Sequence, residues 1–114
     1  MPKPTGPSNA KLKNLIIKFE RRKLPYYRRI AELLSKPTRK RVRVNVQKIE
    51  KLCKDGEVIV VPGNVLGAGK INKKVTVYAW KFSNGAKKKI EDAGGSARYL
   101  EDLLNEKIKP KIVI

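Results

Sequence analysis

Eighteen uncompensated positive charges must be accommodated in any compact form of this chain. Lys and Arg number 28 against 10 Asp and Glu in 114 residues, a formal net charge of +18. A charge of that size repels itself in a folded body and is relieved when a polyanion lies against it, nucleic acid being the commonest. The surplus is uneven: residues 1–43 carry 14 basic and 2 acidic side chains, residues 44–114 carry 14 and 8. Seven of the eight arginines fall between Arg21 and Arg43. Guanidinium forks match phosphate oxygens in pairs and stack on bases, which lysine does not do. The polyanion surface is therefore expected towards the N-terminal part.

Several function classes lose support on composition. The length suits one domain, and the apolar share of 40% suffices for one core. No apolar run approaches the roughly 20 residues that span a bilayer. Met1-Pro2-Lys3-Pro4-Thr5-Gly6-Pro7 has no apolar segment of the kind a secretory leader needs. Cys53 is the single cysteine, which excludes an internal disulfide and fits a reducing, cytoplasmic setting. There is no histidine, the commonest general base near neutral pH and the commonest metal ligand. Glu91-Asp92 and Glu101-Asp102 are neighbours that diverge by about 100° on a helix, so a paired-carboxylate site is poorly supported. No enzyme activity, metal or cofactor is expected.

Along the chain, a proline-rich tail leads to Ser8 or Asn9 as a helix cap. Leu12, Leu15, Ile16 and Phe19 then follow helical spacing over about 9–23. Lys11, Lys18 and Arg22 gather on one flank, and Arg21 points away from the apolar stripe. Pro25 opens a second helix through Tyr26, Tyr27, Ile30, Leu33 and Leu34, which Pro37 terminates. Thr38-Arg39-Lys40-Arg41-Val42-Arg43 reads as an extended basic link. A short strand at Val44–Val46 and a short helix around Ile49–Cys53 follow. Glu57–Val61 reads as a buried β-branched strand stopped by Pro62-Gly63. Residues 64–72 form a glycine-rich loop with weak strand character at Val65-Leu66. Lys74–Trp80 alternates as a strand, with Val75, Val77 and Ala79 opposite Thr76, Tyr78 and Trp80. Ser83 or Asn84 caps a helix that Gly94-Gly95 ends. A further helix is predicted from Ser96 or Ala97 through Leu104, then a last strand at Lys111–Ile114.

Gly63–Lys70 invites a phosphate-loop reading that fails in detail. The G-x-x-x-x-G-K-[ST] pattern needs Gly at 64 and Ser or Thr at 71, where Asn64 and Ile71 stand. The dinucleotide pattern from Gly67 meets Asn72 instead of Gly. The glycines are read first as backbone necessities of a tight connection and second, with Lys70, Lys73 and Lys74, as contacts to a nucleic-acid backbone. Tyr78-Ala79-Trp80-Lys81-Phe82 has the interleaving of aromatic and basic residues used by single-strand readers. Packing explains most of its rings, and base stacking stays open for Trp80 alone. The strongest signal is the basic series Arg21, Arg22, Arg28, Arg29, Arg39, Lys40, Arg41 and Arg43. Lys11 and Lys18 flank it on the first helix, and Lys70, Lys73, Lys74 and Lys81 form a secondary set.

Val44-Asn45-Val46-Gln47-Lys48-Ile49, Val60–Gly69, Val75–Ser83 and Ala93-Gly94-Gly95, in that order, resemble the archaeal and eukaryotic "eighteen-e" large-subunit ribosomal proteins, relatives of bacterial large-subunit protein fifteen. The likeness runs from Thr5-Gly6-Pro7 to the C-terminus and is of the archaeal type, the chain stopping at Ile114. It implies a structural, non-catalytic protein of the ribosome that binds large-subunit ribosomal RNA and neighbouring ribosomal proteins. It also implies an α/β fold: a small single domain of irregular β-β-α turns (44–114) behind a basic, mostly helical N-terminal extension (1–43). The rival readings are a free-standing architectural nucleic-acid binder and a nucleotide-dependent enzyme using the glycine loop.

Overall fold

The β-branched run Val58–Val61 lies at the centre of the fold, which a computed structural model describes for residues 6–36, 40–106, 108 and 110–114. Ile59, Val60 and Val61 are all fully buried, but on opposite sides. Ile59 and Val61 belong to one apolar cluster and Val60 to a second. Burial of both faces is the mark of a strand inside a parallel sheet that is covered above and below. All the strand pairings are parallel. The order is β1 (Val42–Asn45), β2 (Val58–Leu66), β3 (Thr76–Phe82) and β4 (Ser96–Tyr99), with β5 (Lys111–Ile112) beside the first half of β2.

Helices close both faces. α3 (Val46–Leu52) and α4 (Asn84–Asp92) bring Val46, Ile49, Ala86 and Ile90 onto the first cluster. α1 (Gly6–Glu20), α2 (Pro25–Leu34) and α5 (Leu100–Leu104) bring Leu15, Phe19, Ile30, Leu34 and Leu103 onto Val60 and Tyr78 on the other side. The result is one α/β domain in three layers. No helix among the described residues is long and apolar enough to cross a membrane.

Several expectations change. Irregular β-β-α turns give way to a regular parallel sheet, because the β-branched segments pair along their length. The two basic helices form a full layer of the domain, and the expected boundary at residue 43 falls inside β1. Of the expected basic link, Thr38 and Arg39 lie outside the described residues, while Val42 and Arg43 are strand. Pro62-Gly63 does not stop β2. The pairing with β3 shifts between Val61 and Asn64, a bulge that absorbs a residue with no N–H to give. Ser96–Tyr99 is strand rather than helix. It is mostly exposed and held by backbone pairing to β3, so its side chains carry no periodicity to read.

Other local readings hold. Val75, Val77 and Ala79 face the first cluster, Tyr78 and Trp80 the second. The Ser83 hydroxyl accepts from the Ala86 N–H at 3.1 Å and caps α4. Gly94, with φ of 89°, ends α4, and the Gly95 N–H returns to the Ile90 carbonyl at 2.9 Å.

Tyr26 ties α2 to the C-terminal segment by donating its hydroxyl to the Pro110 carbonyl. Burial, reinforced by Tyr27, holds this phenol well above its ordinary value of 10.0. A raised folded-state pKa supports stability below the unfolded value and withdraws it as pH climbs beyond. Parent and Tyr26→Phe proteins should therefore differ by ~1 kcal/mol at pH 7, the usual worth of one such hydrogen bond. That difference should shrink and reverse above about pH 10, where the unfolded phenol ionises. Lysine deprotonation affects both proteins alike and cancels. Urea titrations at pH 7 and 10.5 check it; a difference that grows with pH contradicts it.

Candidate nucleic-acid interface

The acidic residues do little to neutralise this protein. Among the described residues, Arg29 pairs with Glu32 at 2.8 Å, while Lys73–Glu50 and Arg98–Asp102 stand at 3.9 Å. Exposed pairs of this kind contribute ~0–1 kcal/mol. Three carboxylates instead hold loop amides: Glu50 accepts from the Asn72 N–H at 2.8 Å, Asp55 from Lys74 at 2.7 Å and Glu57 from Lys54 at 2.9 Å. The cationic surplus is thus left facing solvent.

The expected contact residues divide into two groups. Arg22, Arg41 and Lys73 are occupied by the fold itself. Arg22 donates to the Leu104 carbonyl at the end of α5 and lies 5.8 Å from the Tyr27 ring centroid. Half-buried Arg41 donates to the Lys36 carbonyl at 3.3 Å, and burial draws its guanidinium below the ordinary value. Lys73 donates to the carbonyls of Glu50 at 2.7 Å and Cys53 at 2.9 Å. Each of these holds a backbone carbonyl that would otherwise lack a partner.

The second group stays at the surface. Lys11, Lys18, Arg21, Arg28 and Lys40 are exposed in or after the helical layer. Arg28 and Arg29 line an open groove at the α1–α2 corner with Glu20 and Glu32. Arg43 is exposed on β1 and registers with Asn64 on β2, which registers in turn with Lys81 on β3. Two cations therefore flank one amide across three strands. Asn64 Oδ1 and Arg41 Nε are buried without a hydrogen-bond partner among the described residues. Lys70 and Lys74 are exposed near α4, and Lys70 shares a groove with Lys89 and Asp92. Arg39 lies outside the described residues.

The glycine-rich loop serves the backbone. Parallel neighbours β2 and β3 are joined by Gly67–Val75 without a helix, a short crossover that needs tight turns. Gly69 has φ of 92°, and a Cβ there would lie 2.3 Å from Gln47 Cβ. Lys89, which sequence reasoning left on the outer face of α4, donates to the carbonyls of Gly67 at 2.6 Å and Gly69 at 2.7 Å. The Ala68 carbonyl accepts from the Gln47 N–H at 3.3 Å. A phosphate cradle presents N–H groups to its ligand; this loop turns its carbonyls inward to amino groups.

Comparison with known proteins bears directly on this surface. The family described as ribosomal proteins 50S-L15 and 50S-L18e, together with their 60S counterpart, matches residues 28–98, from α2 to β4. Large ribosomal subunit protein eL18 of Nanoarchaeum equitans is 45% identical over 108 residues, covering 93% of this chain and 89% of that protein. The eL18 proteins of Sulfurisphaera tokodaii and Methanopyrus kandleri are 44% and 42% identical over 102 and 112 residues. They cover 90% of this chain each, and 86% and 88% of their own lengths. The chain belongs to the eL18 family. It is a protein of the large ribosomal subunit and not an enzyme. Membership sets aside the nucleotide-enzyme reading, in agreement with the inward carbonyls of the glycine loop. The eL18 match spans both the helical layer and the sheet, so both cationic regions belong to the shared sequence.

Proposed function

We propose that this eL18-family chain binds folded ribosomal RNA of the large subunit and stabilises it by placing cations where packed phosphates repel. Neighbouring ribosomal proteins complete its contacts. The observation that carries this reading is the imbalance at the surface: a net +18 against three ion pairs among the described residues. The basic region 1–43 makes the principal contacts through Lys11, Lys18, Arg21, Arg28, Arg29, Arg39, Lys40 and Arg43. Lys70, Lys74 and Lys81 of the remaining body (44–114) add to them. Arg22, Arg41 and Lys73 act one step back, fixing the backbone that presents the others.

If about eight phosphates are neutralised, log affinity for a large-subunit ribosomal RNA fragment should fall with log salt at a slope of roughly −6 to −7. Filter binding between 50 and 300 mM salt measures it. A slope near −1, or equal affinity for duplex DNA of the same length, would overturn the reading in favour of the architectural rival.

A further inference from the structure

Trp80 is the single tryptophan of the chain, and it is not consumed by the core. It is half-buried at the end of β3, with part of its surface against the second apolar cluster. It forms one wall of a groove of about 440 Å³ between α1 and the C-terminal ends of β3 and β4. That is the end of a parallel sheet where ligands of α/β folds collect. Leu15 and Leu100 make the groove apolar below, and Lys11 and Lys81 stand at its sides. Tyr99, 45% exposed, is held edge-on to Phe82 with centroids 5.7 Å apart. Two carboxylates complete the lining. Asp102 is paired with Arg98, whereas Glu101 is exposed and has no ion-pair partner among the described residues.

Resting on the RNA-binding reading above, we infer that this groove binds one unpaired guanine of RNA. The aromatic wall offers a stacking face, which every base can use. Lys81 Nζ lies 5.8 Å from the Trp80 centroid, at the outer limit of a cation–π contact. Its exposed side chain moves to the backbone phosphate as a base takes the ring, and Lys11 meets the phosphate on the other side. Glu101 then chooses among the bases. An ionised carboxylate only accepts hydrogen bonds. Guanine alone has two adjacent donors on its Watson–Crick edge, N1–H and the N2 amine, matching the two carboxylate oxygens. Uracil sets its one donor between two carbonyls that repel the carboxylate, while adenine and cytosine set their amine beside an acceptor nitrogen.

The test reads Trp80 fluorescence while the full chain is titrated with uridine hexamers that carry one central guanine, inosine or uridine. Filter binding to a large-subunit ribosomal RNA fragment runs in parallel. The guanine hexamer should quench saturably. Inosine, which lacks the N2 amine, should bind about tenfold more weakly, the loss of one charge-assisted hydrogen bond. Glu101→Gln should erase the guanine-over-inosine difference and leave quenching by all three. Equal quenching by all hexamers in the parent protein, or a preference that survives Glu101→Gln, overturns the guanine site. So does quenching by a basic peptide but by no hexamer, which assigns the groove to a protein segment. Absent quenching with intact binding to the RNA fragment overturns the groove alone, whereas loss of both overturns the RNA reading with it.

Discussion

Replacing Gly63 with alanine should abolish the cooperative fold. A Cβ at this position would lie 2.1 Å from the carbonyl oxygen of Val42 and 2.9 Å from its carbonyl carbon. Both are backbone atoms of the partner strand, and Val42–Gly63 is the first pair of the β1–β2 ladder. No rotamer relieves such an overlap, so β1 must leave the sheet. With it go the burial of Val44 and the anchorage of Arg43 beside Asn64. The cost, above about 4 kcal/mol, is comparable to the whole stability of a domain this size, ~5–15 kcal/mol. Gly85 is the matched control: it sits in α4 with nothing within 4 Å of an added Cβ. Gly85→Ala should leave the protein unchanged or raise its stability by ~0.5–1 kcal/mol. Urea titrations of both variants check the pair. A Gly63→Ala protein within 1 kcal/mol of the parent contradicts the account.

The difference between these two glycines could not have been read from the sequence. Both stand in polar or turn-rich settings, and only the strand crossing Gly63 separates them. What the sequence did disclose was local. The alternation of β3, the Ser83 cap and the Gly94-Gly95 stop depend on residues close to one another along the chain. The β-branched run of β2 announced its own burial. Elements defined by a distant partner stayed hidden. β4 exists because β3 offers it a backbone edge, and Ser96-Ala97-Arg98-Tyr99 has no pattern that says so. Among the cations, Arg22, Lys73 and Lys89 look like any other basic residue until the carbonyls they hold are seen. Those carbonyls lie 82, 23 and 20, and 22 and 20 positions away in the chain. Trp80 was legible as a stacking candidate, but Glu101 was not, since a groove lining depends on how α1 meets β3 and β4.

The same limit governed the N-terminal helices, and a cavity mutation shows what their placement means. Their amphipathic spacing revealed a buried face without revealing what buries it. The structure seats Phe19, fully buried and 6.0 Å from the Tyr27 ring, in one cluster with Val60 and Tyr78 of the sheet. Phe19→Ala should remove ~3–5 kcal/mol. Were α1 and α2 an appendage on a self-sufficient body, that loss would stay local and the body would keep its stability. As a layer of the domain they must pass the loss to the sheet and to the cluster beyond it. Cys53 reports on that far side: it is the single cysteine, 2% exposed, and belongs to the first cluster, across the sheet from Phe19. Its labelling by a thiol reagent under native conditions requires opening of that cluster. Phe19→Ala should raise the labelling rate by about 10²-fold or more, the factor that corresponds to the lost stability when opening is global. Circular dichroism and Trp80 fluorescence should then shift to lower urea together. An unchanged Cys53 rate beside melted helices would mean that the cations of α1 and α2 ride on a detachable arm. A raised one means that the RNA-facing cations and the sheet rise and fall as one cooperative unit.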